Sequence, residues 1–219
     1  MIRISATQLD SFLKYAAGII TEEMLISTLL RLGEPSLKMI LGTKFHNLIE
    51  NKDAANDLFD EDQVRAVRNK FANGLFEIKV RQRVSTKHGD IVLTGVADNL
   101  DGKVCNEFKT CWGTFDVDKY INSVQWQVYN LMYQPAYVNY VVFEFPSLST
   151  TYKTLEDVKE RLSYRVFHEF HLHFRMADPN YVHQGLTRMT NYIKLKGFEQ
   201  NLQFIGEPED LEFNNIIRS

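Results

Sequence analysis

Residues 91–111 read IVLTGVADNLDGKVCNEFKTC, and this stretch decides the fold prediction for the chain. Two runs rich in β-branched and apolar residues, 91–99 and 103–111, lie on either side of Asp101-Gly102. An Asp-Gly pair between two such runs is a strong signal for a β-hairpin with a two-residue loop. The stretch therefore predicts two antiparallel strands joined by a tight turn.

The predicted loop also sets which residues of the hairpin face each other. With Asp101-Gly102 as the loop, Asp98 would oppose Cys105. Residues two apart on a strand share a face, so Asp98, Glu107 and Lys109 would project to one side and Phe108 to the other. Asp98 and Glu107 would be diagonal neighbours, roughly 7–8 Å apart at the backbone. Their carboxylates could then converge on one cation.

The rest of the chain predicts an α/β (α+β) fold, with a mixed central β-sheet flanked by helices. Helices are predicted over residues 7–13, 36–51, 61–73 and 118–134, and from Asp178-Pro179 to a stop at Gly197. Further strands are predicted over residues 76–84 and 137–145, and over 170–176, where a strand is favoured over a helix. No linker divides the 219 residues, so we expect a single domain, 1–219. Its motif-bearing core would cover about 36–145, and a C-terminal strand and helices would cover 146–219.

Composition indicates a protein of the cytoplasm. Hydrophobic residues make up 44% of the chain and charged residues 24%, as in ordinary globular proteins. No apolar run approaches the roughly 20 residues that span a bilayer, so we expect no membrane association. Asp10 and Lys14 interrupt any secretory signal near the N-terminus. The two cysteines, Cys105 and Cys111, do not form a disulfide framework and cannot supply the four thiolates of an iron–sulfur cluster.

The charge distribution leaves a nucleic-acid partner open. The formal net charge of −3 argues against a basic coat protein, but a nuclease needs only a local basic groove. One stretch is locally basic, and it either contacts DNA or is simply a solvated face: Arg65, Arg68, Lys70, Lys79, Arg81, Arg83 and Lys87. The C-terminal end is acidic, with Glu207, Glu209, Asp210 and Glu212.

Two converging carboxylates and a lysine suit the hydrolysis of a phosphodiester bond. Mg²⁺ prefers hard oxygen ligands and binds through few carboxylates, and it can activate a water molecule and stabilise charge on a phosphate. Lys109 could orient that water or hold the phosphate. The plainer interpretation is an exposed hairpin face with scattered charges. The mostly uncharged residues before Asp98 and Glu107 favour a site, because charged groups in such strands need partners.

Several segments resemble one nuclease superfamily. Gly95-Val96-Ala97-Asp98 followed by Glu107-Phe108-Lys109 resembles motifs II and III of the PD-(D/E)XK nucleases. Two further segments resemble their RecB-type branch, which includes bacterial repair nucleases and phage exonucleases. They are Gly42-Thr43-Lys44-Phe45-His46, similar to a Gly-x-x-x-His helix, and Gln125-Trp126-Gln127-Val128-Tyr129, similar to a Gln-x-x-x-Tyr motif. The motifs follow the order of that family and cover the middle of the chain.

The resemblance implies a restriction-endonuclease-like core and a role for each matching residue. His46, Asp98, Glu107 and the carbonyl of Phe108 would ligate Mg²⁺ or Mn²⁺, and Asp98, Glu107 and Lys109 would form the catalytic centre. Gln125 and Tyr129 would line the site and contact DNA or orient Lys109. Two alternatives stay open: His46 could be a core histidine, and Gln125 and Tyr129 could serve ordinary packing. Glu50, one helical turn beyond His46, could join the site.

The implied function is a metal-dependent deoxyribonuclease, an exonuclease rather than an endonuclease, in recombination, repair or phage DNA metabolism. Many relatives hold an iron–sulfur cluster through cysteines that this chain lacks, so the cluster is not expected. No phosphate-binding loop of a helicase occurs, so DNA is the expected partner, together with a helicase, a recombinase or a single-strand-binding protein. Oligomerisation is left open. The setting would be a bacterial cell or a phage-infected host. The alternative is a catalytically silent DNA-binding module or an accessory subunit of a DNA-processing complex.

Overall fold

A computed structural model of the protein describes residues 1–204. The acidic residues near the C-terminus, Glu207, Glu209, Asp210 and Glu212, lie outside this range. The strands and helices follow in this order: β1 (Ile2–Ser5), α1 (Ala6–Ala16), α2 (Glu22–Leu30), α3 (Leu37–Glu50), α4 (Glu61–Lys70), β2 (Leu75–Thr86), β3 (Gly89–Asp101), β4 (Val104–Trp112), α5 (Asp118–Ile121), α6 (Gln125–Tyr133), β5 (Tyr137–Phe145), β6 (Val166–His173) and α7 (Pro179–Lys196).

The six strands form one mixed sheet in the order β1-β3-β4-β5-β6, with β2 also paired to β3. The pairs β1–β3 and β4–β5 are parallel, and the other neighbours are antiparallel. Helices cover both faces of this sheet, which confirms the predicted α/β class. In the part of the chain that the structure describes, no helix combines the length and the apolar composition needed to cross a membrane.

The strand β3 pairs with three other strands of the sheet. It pairs with β2 along its length, but its other edge is shared by two strands. The ladder with β1 covers residues 91–94, and the ladder with β4 covers residues 99–101. Residues 95–98 therefore lie in a fork between β1 and β4, and Asp98 lies at the β4 end of it.

Two hydrophobic clusters hold the helices against the sheet. One packs α1, α2, α6 and α7 against one face, and it includes Leu9, Leu25, Val128 and Leu186. The other packs α3 and α4 against the opposite face around Phe45, whose ring lies 5.0 Å from that of Phe143. Burying one such side chain stabilises a fold by about 1.5–3 kcal/mol. These clusters fix the two elements, α3 and α6, that reach the fork from opposite sides.

Local contacts fix the ends of several helices, and the predicted start at Asp178-Pro179 and stop at Gly197 are confirmed. Ser5 begins α1 in a reciprocal capping box with Gln8. Ser36 caps α3, and Asp178 caps α7 ahead of Pro179. At the end of α7, Gly197 takes a φ of 71°, a conformation that costs glycine little. β1 and α2 were not predicted from the sequence.

The helix predicted over residues 118–134 is wrong as a single element. The structure has α5 (Asp118–Ile121) and α6 (Gln125–Tyr133), with a break between them. The buried carboxylate of Asp10 accepts hydrogen bonds from Ser123 Oγ (2.8 Å) and Val124 N (2.9 Å). This contact from α1 satisfies the N-terminus of α6 and ends the local helical pattern. The strand predicted over 170–176 is likewise displaced, because β6 runs from Val166 to His173 and a short 3₁₀ turn follows.

The hairpin is present, but its predicted register is wrong by two residues. Cys105 pairs with Leu100 rather than with Asp98, and Gly102-Lys103 forms the loop. Gly102 has a φ of 55°, the positive value that a two-residue hairpin loop of type II′ needs at its first position. A shift of two residues keeps every side chain on its predicted face.

Candidate active site

A cleft of about 810 Å³ opens where β1 and β4 part from each other along β3. The predicted site residues that would act through their side chains all line it: His46, Asp98, Glu107, Lys109, Gln125 and Tyr129. They arrive from β3, β4, α3 and α6. The fork in the sheet is therefore the feature that brings the separate motifs together.

Asp98 lies just beyond the last residue pair of the β3–β4 ladder, Asn99 with Asn106. Continued by one residue, this register places Asp98 across from Glu107 rather than diagonal to it. Asp98 Oδ2 accepts a hydrogen bond from Phe108 N at 2.7 Å, so the carboxylate takes the place of a cross-strand carbonyl. The N–H and C=O of a residue in a strand point to the same edge. The carbonyl of Phe108 therefore also faces the fork.

Glu107 and Lys109 share a face of β4, as predicted, and the Lys109 ammonium donates to Glu107 Oε1. Tyr129 Oη on α6 donates to the same oxygen at 3.3 Å. Only 3% of the Glu107 side chain is exposed. Its other oxygen, Oε2, is buried and has no hydrogen-bond partner among residues 1–204. The side chain of Phe108 points the other way, as predicted, and lies 4.9 Å from the ring of Phe71.

The helix α3 brings His46 to the site because Gly42 allows a close approach to β4. A Cβ atom on Gly42 would lie 2.8 Å from Thr110 Oγ1, so a side chain there would push the helix away from the strand. One turn later, His46 Nδ1 lies 4.0 Å from Asp98 Oδ2. Donor atoms of His46, Glu50 and Asp98 all lie within 4.8 Å of one another. Glu50, which the sequence offered only as a residue that could join the site, lies in this group at i, i+4 spacing from His46.

A second glycine, Gly95 on β3, allows a close approach of α6. A Cβ atom on Gly95 would lie 3.0 Å from the sulfur of Met132 and 3.3 Å from the Tyr129 ring. The absence of a side chain at Gly95 lets α6 close on β3, which brings Tyr129 within reach of Glu107. Gln125 lines the same cleft, and its Nε2 donates to Thr7 Oγ1 at 3.2 Å. Tyr129 therefore contacts Glu107 rather than Lys109, and Gln125 contacts the start of α1.

Burial is the main cause of the pKa shifts of the acids and the histidine in the cleft. It raises the pKa values of Asp98 and Glu107, while the nearby charge of Lys109 acts in the opposite direction. Burial, followed by the charge of Asp98, raises the pKa of Glu50 to about 8. Burial and the charge of Lys109 lower the pKa of His46 to about 4, so its imidazole is neutral at pH 7. Burial lowers the pKa of Lys109, but the charges of Glu107 and Asp98 outweigh this and raise it overall.

These residues fit a divalent cation. The carboxylates of Glu50 and Asp98 and the neutral imidazole of His46 lie close together, and they supply oxygen and nitrogen donors of the kind that Mg²⁺ and Mn²⁺ accept. The buried Glu107 Oε2 has no hydrogen-bond partner within residues 1–204, and a charged buried oxygen without a partner is costly. A cation beside it would supply the missing interaction and favour the ionised form of each acid.

One further acid, Glu77 on β2, was missed by the sequence analysis. The β2–β3 ladder skips the pair of Glu77 with Asp98, and Glu77 has a φ of 51°. A positive φ is uncommon outside glycine. Glu77 lines a second cavity together with His46, Glu50 and Asp98. No local pattern marks this conformation, because Glu77 falls within an ordinary alternating strand.

Only some residues of the basic stretch predicted as a possible DNA contact line the cleft, and others make contacts elsewhere in the fold. Lys79 and Arg81 line the cleft on β2, where Arg3 of β1 and Arg31 at the end of α2 join them. Other members serve the fold: Arg65 pairs with Asp62, Arg68 donates to the carbonyls of Leu48 and Asn51, Lys70 pairs with Glu169, and Arg83 pairs with Asp90.

Comparison with known proteins identifies a fold relative. No family model matches the chain, and no curated protein matches it. Among solved structures the chain is similar to SSO0001, a protein of known crystal structure, with a TM-score of 0.52 and 15% sequence identity. The likeness covers 89% of this chain and 77% of that one. At this level of identity the chain shares with SSO0001 a fold, in which a mixed sheet is flanked by helices.

Proposed function

We propose that the protein is a Mg²⁺- or Mn²⁺-dependent nuclease that hydrolyses phosphodiester bonds in DNA. One observation carries the proposal: His46, Asp98, Glu107 and Lys109 line one cleft, where a buried oxygen of Glu107 lacks a hydrogen-bond partner among the described residues. Groups from distant parts of the sequence thus meet in an arrangement that suits metal-assisted hydrolysis. The sequence resemblance to PD-(D/E)XK nucleases points to the same chemistry.

His46, Asp98, Glu107 and the Phe108 carbonyl would hold the cation, with Glu50 beside them. When bound, the cation would lower the pKa of a water molecule and stabilise charge on the phosphate. Lys109 donates a hydrogen bond to Glu107 and would hold the scissile phosphate or orient the attacking water. Tyr129 fixes Glu107 from the side of α6 and so keeps the carboxylate aimed at the fork.

The cleft also offers a path for a nucleic-acid backbone. Arg3, Arg31 and Lys79 place positive charge along its lining, beside the acids, in a chain whose net charge is negative. Phosphate contacts of this kind supply most of the sequence-independent affinity of proteins for DNA. Action from DNA ends, in recombination, repair or phage DNA metabolism in a bacterial cytoplasm, follows from the family resemblance and belongs to the same proposal.

The decisive experiment measures cleavage of end-labelled linear DNA and of closed circular DNA with Mg²⁺, Mn²⁺ or EDTA. We expect metal-dependent loss of linear DNA by the wild type and none by Glu107→Gln, which keeps the shape of the side chain but removes its charge. Glu144→Gln is the matched control, because Glu144 is a partly buried acid of β5 that pairs with His168 outside the cleft. Cleavage of closed circles would indicate an endonuclease. DNA binding without cleavage in either metal would support a silent DNA-binding module or an accessory subunit instead.

A further inference from the structure

Three buried asparagines form a continuous ladder across the centre of the sheet. Asn99 on β3 pairs in register with Asn106 on β4, which pairs with Asn139 on β5. Asn139 Nδ2 donates to Asn106 Oδ1 at 2.9 Å, and Asn106 Nδ2 donates to Asn99 Oδ1 at 2.8 Å. At most 4% of each residue is exposed. Buried polar groups are costly unless they are paired, so the hydrogen bonds between the three amides favour this arrangement of the strands. Asn139 Oδ1 has no hydrogen-bond partner among residues 1–204.

Both ends of the asparagine ladder connect through hydrogen bonds to the C-terminus of α4, one directly and one through Glu169. Asn99 Nδ2 donates to the carbonyl of Phe71 at 3.2 Å, next to the last residue of that helix. At the other end, Asn139 Nδ2 donates to Glu169 Oε1 at 3.1 Å, and Glu169 pairs with Lys70. The network therefore links four strands and one helix in a closed circuit.

The ladder lies next to the candidate active site in sequence and in space. Asn99 follows Asp98, and Asn106 precedes Glu107. The β3–β4 ladder contains only three residue pairs, of which Asn99 with Asn106 is the one at the fork. So short a ladder leaves its register weakly specified by backbone pairing alone.

A competing register exists, and it keeps every side chain on the same face of the sheet. With Asp101-Gly102 as the loop, Asp98 would face Cys105 and Asn106 would face Ala97. Both asparagine amides of the hairpin would then lose their mutual hydrogen bond inside the core, which is the costly outcome for buried polar groups. Asp98 would also move by two residues along β4, about 6.5 Å, and away from Phe108 N.

We propose that Asn106, together with Asn99 and Asn139, is a positioning residue for the candidate metal centre. Two hairpin registers leave every side chain on the same face of the sheet. The asparagine ladder selects the register in which Asp98 lies across from Glu107 and accepts from the Phe108 amide. The inference deepens the proposed function and rests on it for the cation-binding readout. The register itself can be measured without any metal.

The test uses the full chain and two kinds of variant. Asn106→Leu removes one member and leaves its neighbours unmatched. The triple variant Asn99→Val, Asn106→Val, Asn139→Val removes all three amides together, and only the outer acceptors, the Phe71 carbonyl and Glu169 Oε1, lose a donor. It should fold even where the single variant does not, since replacing matched polar partners by apolar groups can be nearly neutral. Asn130→Leu is the control, because Asn130 is a buried asparagine of α6 outside the ladder.

Two readouts are needed for each protein. Nuclear Overhauser contacts across the hairpin report the register, as Leu100 to Cys105 in the observed form or Asp98 to Cys105 in the shifted one. Calorimetric titration with Mn²⁺ alone reports the metal centre. We expect the triple variant to show the shifted contact and to bind Mn²⁺ at least tenfold more weakly, whereas Asn130→Leu should match the wild type in both.

The proposal is overturned if the triple variant keeps the Leu100–Cys105 contact alone, or if it binds Mn²⁺ as the wild type does. Failure of the wild type itself to bind Mn²⁺ would count against the proposed nuclease and against the positioning of a metal centre, while the hairpin contacts would still show whether the ladder sets the register. The two failures are therefore distinguishable.

Discussion

Lys109 is held at the candidate site by charge rather than by packing. Its ammonium donates to the buried Glu107, and 28% of its side chain is exposed toward the cleft. We predict that Lys109→Met, which keeps the apolar stem, lowers the rate of DNA cleavage at least about 100-fold, as loss of a group that stabilises transition-state charge does. Affinity for Mn²⁺ should stay level or increase, because a positive charge next to the cation is removed. Single-turnover cleavage and Mn²⁺ titration check the two halves.

The control for Lys109 lies on the same hairpin. Lys103 is an exposed residue of its loop, and Lys103→Met should leave both cleavage and Mn²⁺ binding unchanged. Full cleavage activity in Lys109→Met would rule out its role.

Glu50 gives the free protein an unusual pH dependence of stability. Burial and the charge of Asp98 raise its pKa from 4.5 to about 8, so the folded state holds this proton more tightly than the unfolded state. Stability falls with rising pH wherever the folded state binds more protons. We therefore predict that Glu50 makes the metal-free protein lose stability as the pH rises from about 5 to 8.

The comparison of wild type with Glu50→Gln isolates this effect. Urea unfolding in EDTA across that pH range should show the wild type losing stability relative to the variant, because glutamine does not titrate. His46 acts in the opposite direction up to about pH 6.5, because burial lowers its pKa in the folded state from 6.5 to about 4. It is present in both proteins, so its contribution cancels in the comparison. A constant difference between the two proteins from pH 5 to pH 8 would contradict the prediction.

At the scale of elements, the distance between α3 and β4 is set by Gly42. An alanine in a helix normally stabilises it by roughly 0.5–1 kcal/mol relative to glycine. Here the new Cβ would lie 2.8 Å from Thr110 Oγ1, which is too close, and we expect the helix to shift and His46 with it. We predict that Gly42→Ala weakens Mn²⁺ binding about tenfold or more while the protein still folds, as measured by calorimetric titration and circular dichroism.

Removing the Thr110 hydroxyl should restore the close approach that Gly42→Ala disrupts. The Thr110 hydroxyl is the atom that meets the new Cβ, whereas the Thr110 Cβ lies 4.0 Å away. The double variant Gly42→Ala, Thr110→Ala should therefore recover Mn²⁺ affinity, and Thr110→Ala alone should keep it. Equal loss in the single and double variants would show that close approach is not what Gly42 provides.

At the scale of the whole molecule, the cleft gathers cations from separate elements, and this predicts how DNA binding responds to salt. Each phosphate contact contributes about one unit to the slope of log affinity against log salt concentration. Lys79 lines the cleft, so Lys79→Ala should weaken DNA binding and reduce the slope by about one. Arg65 belongs to the same basic stretch but pairs with Asp62 outside the cleft, so Arg65→Ala should change neither quantity. Fluorescence anisotropy with labelled DNA at several salt concentrations measures both, and equal effects of the two variants would exclude the cleft as the DNA path.

The sequence by itself determined the features that depend on neighbouring residues. The cap at Asp178 and the stop at Gly197 act through contacts a few residues apart, and the structure confirms both. The shared face of Glu107 and Lys109 follows from the two-residue period of a strand. Whether these residues are catalytic stays a prediction.

Other features depend on distant contacts and appear only in the folded chain. Asp10 of α1 breaks the helix predicted over residues 118–134, and β1 opens the fork that makes the cleft. The hairpin register could not be read from the Asp-Gly turn, because two registers place the same side chains on the same faces. The choice between them lies in buried hydrogen bonds that Asn106 makes with Asn99 and with Asn139, 33 residues later in the chain. Such bonds have an energy only after the core has formed around them, and for this reason no local pattern in the sequence contains them.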